Sequence, residues 1–153
     1  MRLLERDREL GKIAGLLAGA VAGRGATVLV EGAPGIGKTA LLAAVRKQAD
    51  SLQVRSLTAS GGELEQQLGF AIVRQLFDPP LRAVPAAERT DLLSGAAGLA
   101  ASVFDGGLAH EHPVVMGAVV HGLFWLCSNL AERHPLLLIV DDVQWTDEAS
   151  LPT

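Results

Sequence analysis

Cysteine is nearly absent from this 153-residue chain, whose one cysteine is Cys127. An intramolecular disulfide is therefore excluded, which fits a reducing cytosol. The preceding residues, Phe124 to Leu126, are apolar, so we expect a buried and inert thiol rather than a nucleophile. The chain also lacks an apolar run near the ~20 residues of a membrane span, and its charged N-terminus is unlike a signal peptide. We therefore predict a cytoplasmic protein without membrane contacts.

Blocks of basic residues are missing as well. The chain has 13 Lys and Arg residues against 17 Asp and Glu residues, which gives a net charge of −4. Because the electrostatic footprint of a nucleic-acid binder is absent, we predict no direct nucleic-acid binding by this segment. Apolar residues make up 49% of the sequence, as in a globular chain. The length predicts one domain over residues 1–153.

Lysine is scarce too, at three of 153 residues, yet Lys38 lies in a glycine-rich segment. Residues 32–39 follow the pattern G-x-x-x-x-G-K-[ST] of a phosphate-binding loop. Residues 26–31 before the loop predict a buried strand, and residues 38–49 after it predict a helix. A glycine-rich turn with an incidental lysine is the competing interpretation, but the strand–loop–helix context favours a nucleoside triphosphate site.

The loop supplies most of the predicted nucleotide contacts. Its glycines let successive backbone N–H groups converge on an anion, and the helix N-terminus adds partial positive charge. Lys38 is expected to reach the β- and γ-phosphates, and the Thr39 hydroxyl to hold Mg²⁺. The predicted nucleotide-binding residues of the loop are Gly32, Ala33, Pro34, Gly35, Ile36, Gly37, Lys38, Thr39 and Ala40.

A second signal is the apolar run 136–140, which ends in Asp141 and Asp142. The run predicts a central parallel strand. Ligands of open α/β sheets bind at the carboxyl ends of the strands, so we expect the two acids and the loop at one edge. Asp141 can then hold Mg²⁺ beside Thr39, and Asp142 can orient or deprotonate an attacking water. The alternative is an Asp that only caps the next helix.

The rest of the chain alternates helical and strand patterns. Residues 5–22 predict a helix and residues 53–58 a weaker strand. Three helices follow: one stopped by Pro79-Pro80, one opened by Pro85, and one from Pro113 to about Arg133 that we expect to be buried. This order predicts an α/β fold: an incomplete three-layer P-loop NTPase fold of about three parallel strands, with a helical stretch between the second and third.

Three weaker signals are interpreted as structural. The segment His110-Glu111-His112 lacks the further ligands that a zinc site needs, so it predicts a solvated loop. His121 is expected to be a core histidine. Trp125 and Trp145 are expected to be packing residues, since no basic groove accompanies them.

Four segments carry a resemblance to a known family: Leu3 to Leu10, Glu31 to Thr39, Gly69 to Phe77, and Val140 to Asp147. In this order they resemble the N-terminal ATPase module of the large ATP-binding LuxR-type transcriptional regulators. Those regulators belong to the STAND branch of the AAA+-like P-loop ATPases. The resemblance covers essentially the whole chain.

The resemblance implies a site for ATP with Mg²⁺. It implies Lys38 on the phosphates, Thr39 and Asp141 on the metal, Asp142 near the hydrolytic water, and the segment ending at Arg6 beside the adenine. Many AAA+ enzymes carry Glu where this chain has Asp142. The shorter side chain favours a slow switch over efficient hydrolysis.

The resemblance also implies a longer protein, with a helical lid, a repeat region and a C-terminal helix-turn-helix. In the family, another strand lies between the loop strand and the strand before the two acids, and it is missing here. We therefore expect a fragment with slow or no hydrolysis, or else direct pairing of the two flanking strands. The expected partners are ATP and ADP, together with self-association or C-terminal regulatory domains.

Three functions remain open from the sequence. The first is an ATP-binding switch module of a signalling ATPase. The second is a small-molecule P-loop kinase, which requires an acceptor pocket and an Arg-rich lid; the sequence shows no such lid. The third is a degenerate interaction fragment that binds no nucleotide.

Overall fold

The computed structural model describes residues 6–62, 70–105 and 113–142. These residues form a mixed α/β fold, as predicted. In chain order the elements are α1 (Asp7–Val21), α2 (Lys38–Ser51), β1 (Arg55–Ser60), α3 (Ala71–Arg82), α4 (Ala86–Leu92), a 3₁₀ helix (Gly95–Ala100), α5 (Ala101–Phe104), α6 (Pro113–Arg133) and β2 (Leu136–Asp141).

The chain divides into two compact units. One comprises Met1–Ser56 and His134–Ile139, and the other comprises Leu57–Arg133 and Val140–Thr153. Parts of the sequence signals lie outside the described residues: Leu3 to Glu5, Gly69, His110 to His112, and Val143 to Asp147, which includes Trp145.

The first unit is built on α1 and α2. The helix predicted over residues 5–22 is confirmed as α1, and its Leu17 is buried against Ala49 of α2 and against Val54. Ile13 and Leu137 pack around this cluster. Helix α2 therefore rests on an apolar base while its N-terminal end carries the glycine-rich loop.

The two strands form a parallel sheet. The Arg55 N–H donates to the Pro135 carbonyl at 2.8 Å, and the Gly61 N–H donates to the Asp141 carbonyl at 3.0 Å. The paired residues advance together along both strands, which defines the parallel register. The predicted strands 53–58 and 136–140 are thus confirmed with small shifts, as β1 and β2.

The predicted strand over residues 26–31 is wrong. In the part of the chain that the structure describes, the sheet has only β1 and β2, and residues 24–33 have no regular structure. Val28 is 49% exposed and Leu29 is 73% exposed. The apolar composition is not sufficient, because a strand also needs a neighbour that pairs its backbone N–H and C=O groups. The alternative of direct pairing with the strand before the acids fails too, since residues 26–31 form no strand that could pair with β2.

The second unit is a cluster of helices. The contacts between α6 and the 3₁₀ helix dominate its packing, and Asn129 on α6 donates to the Leu92 carbonyl at 2.9 Å. Arg133 pairs with Glu88 and with Asp91, so the end of α6 is tied to α4. The buried apolar residues of this unit include Ile72, Leu76, Phe77, Leu81, Leu92, Ala97, Ala100, Val103, Val119, Leu126 and Leu130.

Two helix boundaries differ from prediction. Helix α3 continues through Pro79 and Pro80 to Arg82 instead of stopping at the prolines. Proline in a helix costs a hydrogen bond, but Pro80 and Leu81 are fully buried, and this burial stabilises the last turn. The helix opened by Pro85 ends at Leu92, and helical structure resumes as the 3₁₀ helix at Gly95, whose φ of 59° is left-handed.

Helix α6 has the predicted bounds but is not buried on most sides. Phe124 is 62% exposed and Trp125 is 42% exposed. His121 is exposed as well, and the Trp125 Nε1–H donates to His121 Nε2 at 3.2 Å. The prediction of a core histidine is therefore wrong. Within the described ranges, no helix combines the length and the hydropathy that crossing a membrane requires.

Candidate functional site

The glycine-rich loop adopts backbone conformations that require glycine at two positions. Gly35 has φ 77° and Gly37 has φ 87°, both in the left-handed region that other residues rarely adopt. Gly37 is the N-cap of α2, so α2 begins at Lys38 as predicted. Within the loop the Ile36 N–H donates to the Ala33 carbonyl at 3.3 Å. The loop is thus a compact turn that ends on a helix N-terminus, the arrangement that binds anions.

Gly32 lies close to the side chain of Ile36. A Cβ at this position would lie 2.8 Å from Cγ2 of Ile36. Any side chain at residue 32 would therefore push the Ile36 side chain aside and change the loop. The residues that line this backbone cradle, Gly32 to Ile36, are exposed to solvent.

The Lys38 side chain folds back over the loop. Its Nζ donates to the Gly32 carbonyl at 2.8 Å and to the Ala33 carbonyl at 3.2 Å. An ammonium group has three N–H donors, so these bonds position the charge and leave one donor for an anion. Thr39 and Ala40 follow in the first turn of α2, with Thr39 exposed.

Arg6, the residue before α1, lies N-terminal to the loop in the sequence and contacts the loop backbone. Its Nη2 donates to the Ile36 carbonyl at 2.7 Å. The structure therefore places Arg6 on the loop backbone. The resemblance places it in a segment beside adenine, and that role stays a prediction.

The two acids end β2 in a defined geometry. Asp141 is the last residue of the strand, and its carbonyl accepts the Gly61 N–H. The Asp142 N–H donates to Oδ1 of Asp141 at 2.9 Å, and Asp142 has φ 52°. The backbone thus turns sharply after β2, in a left-handed conformation that Asp tolerates better than most residues. One carboxylate oxygen of Asp141 is oriented by this turn.

Sequence reasoning missed one contact near the acids. Gln75 of α3 pairs its side-chain amide with the backbone of Ser60: Oε1 accepts the Ser60 N–H at 3.0 Å, and Nε2 donates to the Ser60 carbonyl at 3.2 Å. Gln75 lies in the Gly69–Phe77 segment that carries the family resemblance. That segment was the available signal, although it does not reveal the contact.

Cys127 is half-buried, less than the buried thiol that the sequence predicts. Desolvation by burial raises its pKa to about 11, so the reactive thiolate is scarce at neutral pH. No group of three or more His, Cys, Asp or Glu residues among those the structure describes could hold a metal ion. A metal bound with the phosphates of a nucleotide does not require such a group, because the phosphates supply ligands themselves.

Comparison with known proteins adds one finding. The chain matches the AAA ATPase domain family over residues 2–153. No curated protein and no solved structure shows a significant match. The family match spans the glycine-rich loop, the segment around Gln75 and the two acids together. The chain therefore belongs to the AAA ATPase domain family and is a P-loop ATPase module, with the nucleotide-binding function that this family implies.

Proposed function

We propose that this domain is the ATP- and Mg²⁺-binding switch module of a STAND-type signalling ATPase that regulates transcription from the cytoplasm. The observation that carries the proposal is the loop of residues 32–39. Its two left-handed glycines and the carbonyl-held Lys38 form a phosphate cradle at the start of α2. The family match and the resemblance to LuxR-type regulators support ATP as the nucleotide.

The donor groups fit a magnesium nucleotide. Mg²⁺ prefers oxygen ligands and binds through one or two protein groups together with substrate phosphates. We propose the Thr39 hydroxyl and the Asp141 carboxylate as those groups, and Asp142 as the residue that orients the attacking water. When bound, Mg²⁺ would neutralise charge on the phosphates.

A switch role is proposed because the side chain of Asp142 favours slow hydrolysis over rapid turnover. Asp142 is shorter than the Glu found in many AAA+ enzymes. A nucleotide shifts a conformational equilibrium only by its different affinity for the two states. We therefore expect ATP and ADP to bind with different affinities.

Isothermal titration calorimetry with MgATP and MgADP tests the proposal on the intact chain. We expect saturable heat with one nucleotide per chain, and tighter binding of one nucleotide than of the other. A folded sample, verified by circular dichroism, that gives no heat with either nucleotide would contradict it. That result would favour the degenerate interaction fragment.

A kinase activity is separated by its products. Incubation with ATP and candidate nucleoside or sugar acceptors should release only slow free phosphate and leave the acceptors unmodified. Phosphorylated acceptor formed without free phosphate would replace the switch by a phosphotransfer function.

A further inference from the structure

Gln75 contacts the end of β1 as a neighbouring strand would. A side-chain amide carries one acceptor and two donors, and Gln75 uses one of each on the two backbone groups of Ser60. The pairing has the form of a backbone ladder rung. A helix residue thereby supplies the partner that the strand edge would otherwise take from a further strand.

The direction of the Ser60 groups follows from the sheet register. The N–H groups of Arg55 and Gly61 point toward β2, since they donate to Pro135 and Asp141. Backbone groups alternate between the two edges along a strand. The backbone N–H and C=O of Ser60 therefore point to the opposite edge of β1, where the Gln75 amide binds them. The Gln75 side chain therefore binds one edge of β1 at Ser60, and β2 binds the other edge at the next residue, Gly61.

This arrangement connects Gln75 to the acids through four hydrogen bonds. Gln75 holds Ser60, the next residue Gly61 donates to the Asp141 carbonyl at 3.0 Å, and the Asp141 carboxylate accepts the Asp142 N–H at 2.9 Å. Helix α3 is itself anchored by Ile72 and Leu76, which are buried. We call the two hydrogen bonds between the Gln75 amide and the Ser60 backbone the clamp. The clamp therefore holds the end of β1, and through Gly61 the end of β2 at Asp141, in a fixed position against α3.

We infer that Gln75 is a positioning residue for Asp141, through its clamp on Ser60. The inference rests on the proposed function, because it assigns Gln75 to the magnesium side of the ATP site. Loss of the clamp would free Ser60 and Gly61, and with them the register of the last rung of the sheet. The Asp141 carboxylate would then be presented to Mg²⁺ less often in its binding orientation.

Two variants and one control test the inference. Gln75→Ala removes both bonds, and Gln75→Glu keeps the size but turns the donor into a second acceptor facing the Ser60 carbonyl. Asp78→Asn is the control, since it changes α3 one turn later, where Asp78 pairs with the exposed Arg82 at 3.5 Å. ATP affinity is measured for each protein with Mg²⁺ and with EDTA, and amide hydrogen exchange is followed at Ser60 and Gly61.

We expect both Gln75 variants to exchange faster at Ser60 and Gly61. Their MgATP affinity should fall about tenfold, roughly the net value of one to two hydrogen bonds. Their ATP affinity in EDTA should stay at the wild-type value, and the Asp78→Asn protein should match the wild type in both affinities. A purely structural role would instead lower both affinities together. Faster exchange with unchanged MgATP affinity would overturn the positioning role, and unchanged exchange would overturn the clamp. Absence of MgATP binding by the wild type would refute the proposed function alone, since the exchange measurement still reports on the clamp.

Discussion

The Arg6 guanidinium and the Ile36 carbonyl are joined by a 2.7 Å hydrogen bond that spans 30 residues of sequence. It ties the start of α1 to the exposed turn of the phosphate loop. Ile36 also donates from its N–H to Ala33, so this one residue is held at both backbone groups. The loop is therefore held by Arg6, which lies outside it in the sequence, as well as by its own Lys38.

Arg6→Ala should loosen the loop and weaken nucleotide binding several-fold. A charge-assisted hydrogen bond is worth about 1.5–3 kcal/mol, less when it is exposed. The measurement is MgATP titration, with hydrogen exchange at Ile36 and Gly37 as the structural readout. Arg8→Ala is the matched control, because Arg8 is exposed on α1. Equal effects of the two variants would show that charge alone, and not the Ile36 contact, matters.

Lys38→Ala should weaken MgATP binding by at least about tenfold, because it removes a charge-assisted contact to phosphate. It also removes the two bonds to the Gly32 and Ala33 carbonyls. Lys47→Ala, an exposed lysine further along α2, should bind as the wild type does. Calorimetry checks both, and equal affinity of wild type and Lys38→Ala would remove the loop from the site.

Asp142→Asn should leave MgATP affinity within about twofold and lower any phosphate release. The amide cannot accept a proton from water, while the turn after β2 remains available to Asn, which also tolerates left-handed φ. Phosphate release and binding are measured on the same preparation. Glu132→Gln removes an exposed carboxylate on α6 and should change neither. A hydrolysis rate that survives in Asp142→Asn would exclude Asp142 as the water-activating group.

Gly122→Ala should destabilise the second unit by about 1–3 kcal/mol, as overpacking does. An added Cβ would lie 2.5 Å from the Ala100 nitrogen, which belongs to a packed backbone and has little room to move. Gly117→Ala places the same Cβ on the same helix with nothing within 4 Å. It should stabilise by up to about 1 kcal/mol, through helix propensity. Urea unfolding of both variants measures the difference, and similar values for the two would contradict the close approach of α6 and the 3₁₀ helix.

Cys127 should react slowly with iodoacetamide at pH 8 and about tenfold faster with each added pH unit up to pH 10. The reason is its pKa, which burial raises to about 11. Because the folded state holds this proton more tightly than the unfolded state, stability should decline as the pH rises toward 11. For the protein unfolded in urea, the rate of Cys127 alkylation should level off at a lower pH than for the native protein. A native rate that levels off near pH 9 would show that the thiol is exposed.

The sequence motifs of the candidate site were predictable, because the glycine spacing of the loop and the two acids after an apolar run depend on local chemistry. Helix α2 begins at Lys38, and Gly35 and Gly37 take the left-handed conformations that their positions require. Parallel strands appear near two of the three predicted ranges, 53–58 and 136–140. These features follow from residues that are close in sequence.

The errors arise where structure depends on distant partners. Residues 26–31 have strand composition, but no strand among the described residues pairs with them. Pro79 and Pro80 remain helical because burial in the second unit outweighs their local cost. The contacts of Arg6 with Ile36 and of Gln75 with Ser60 join residues 30 and 15 positions apart, and no periodicity encodes them.

The Gln75 clamp also has a consequence for solubility. Among the described residues, no further strand pairs with the edge of β1 that faces away from β2, and open strand edges recruit strands from other molecules. At Ser60 the glutamine amide already occupies both groups, so an incoming strand cannot extend its ladder to the end of β1 without displacing a side chain from an anchored helix. Gln75 thereby shields the strand end from intermolecular β-pairing, and its loss should make the protein more prone to aggregate.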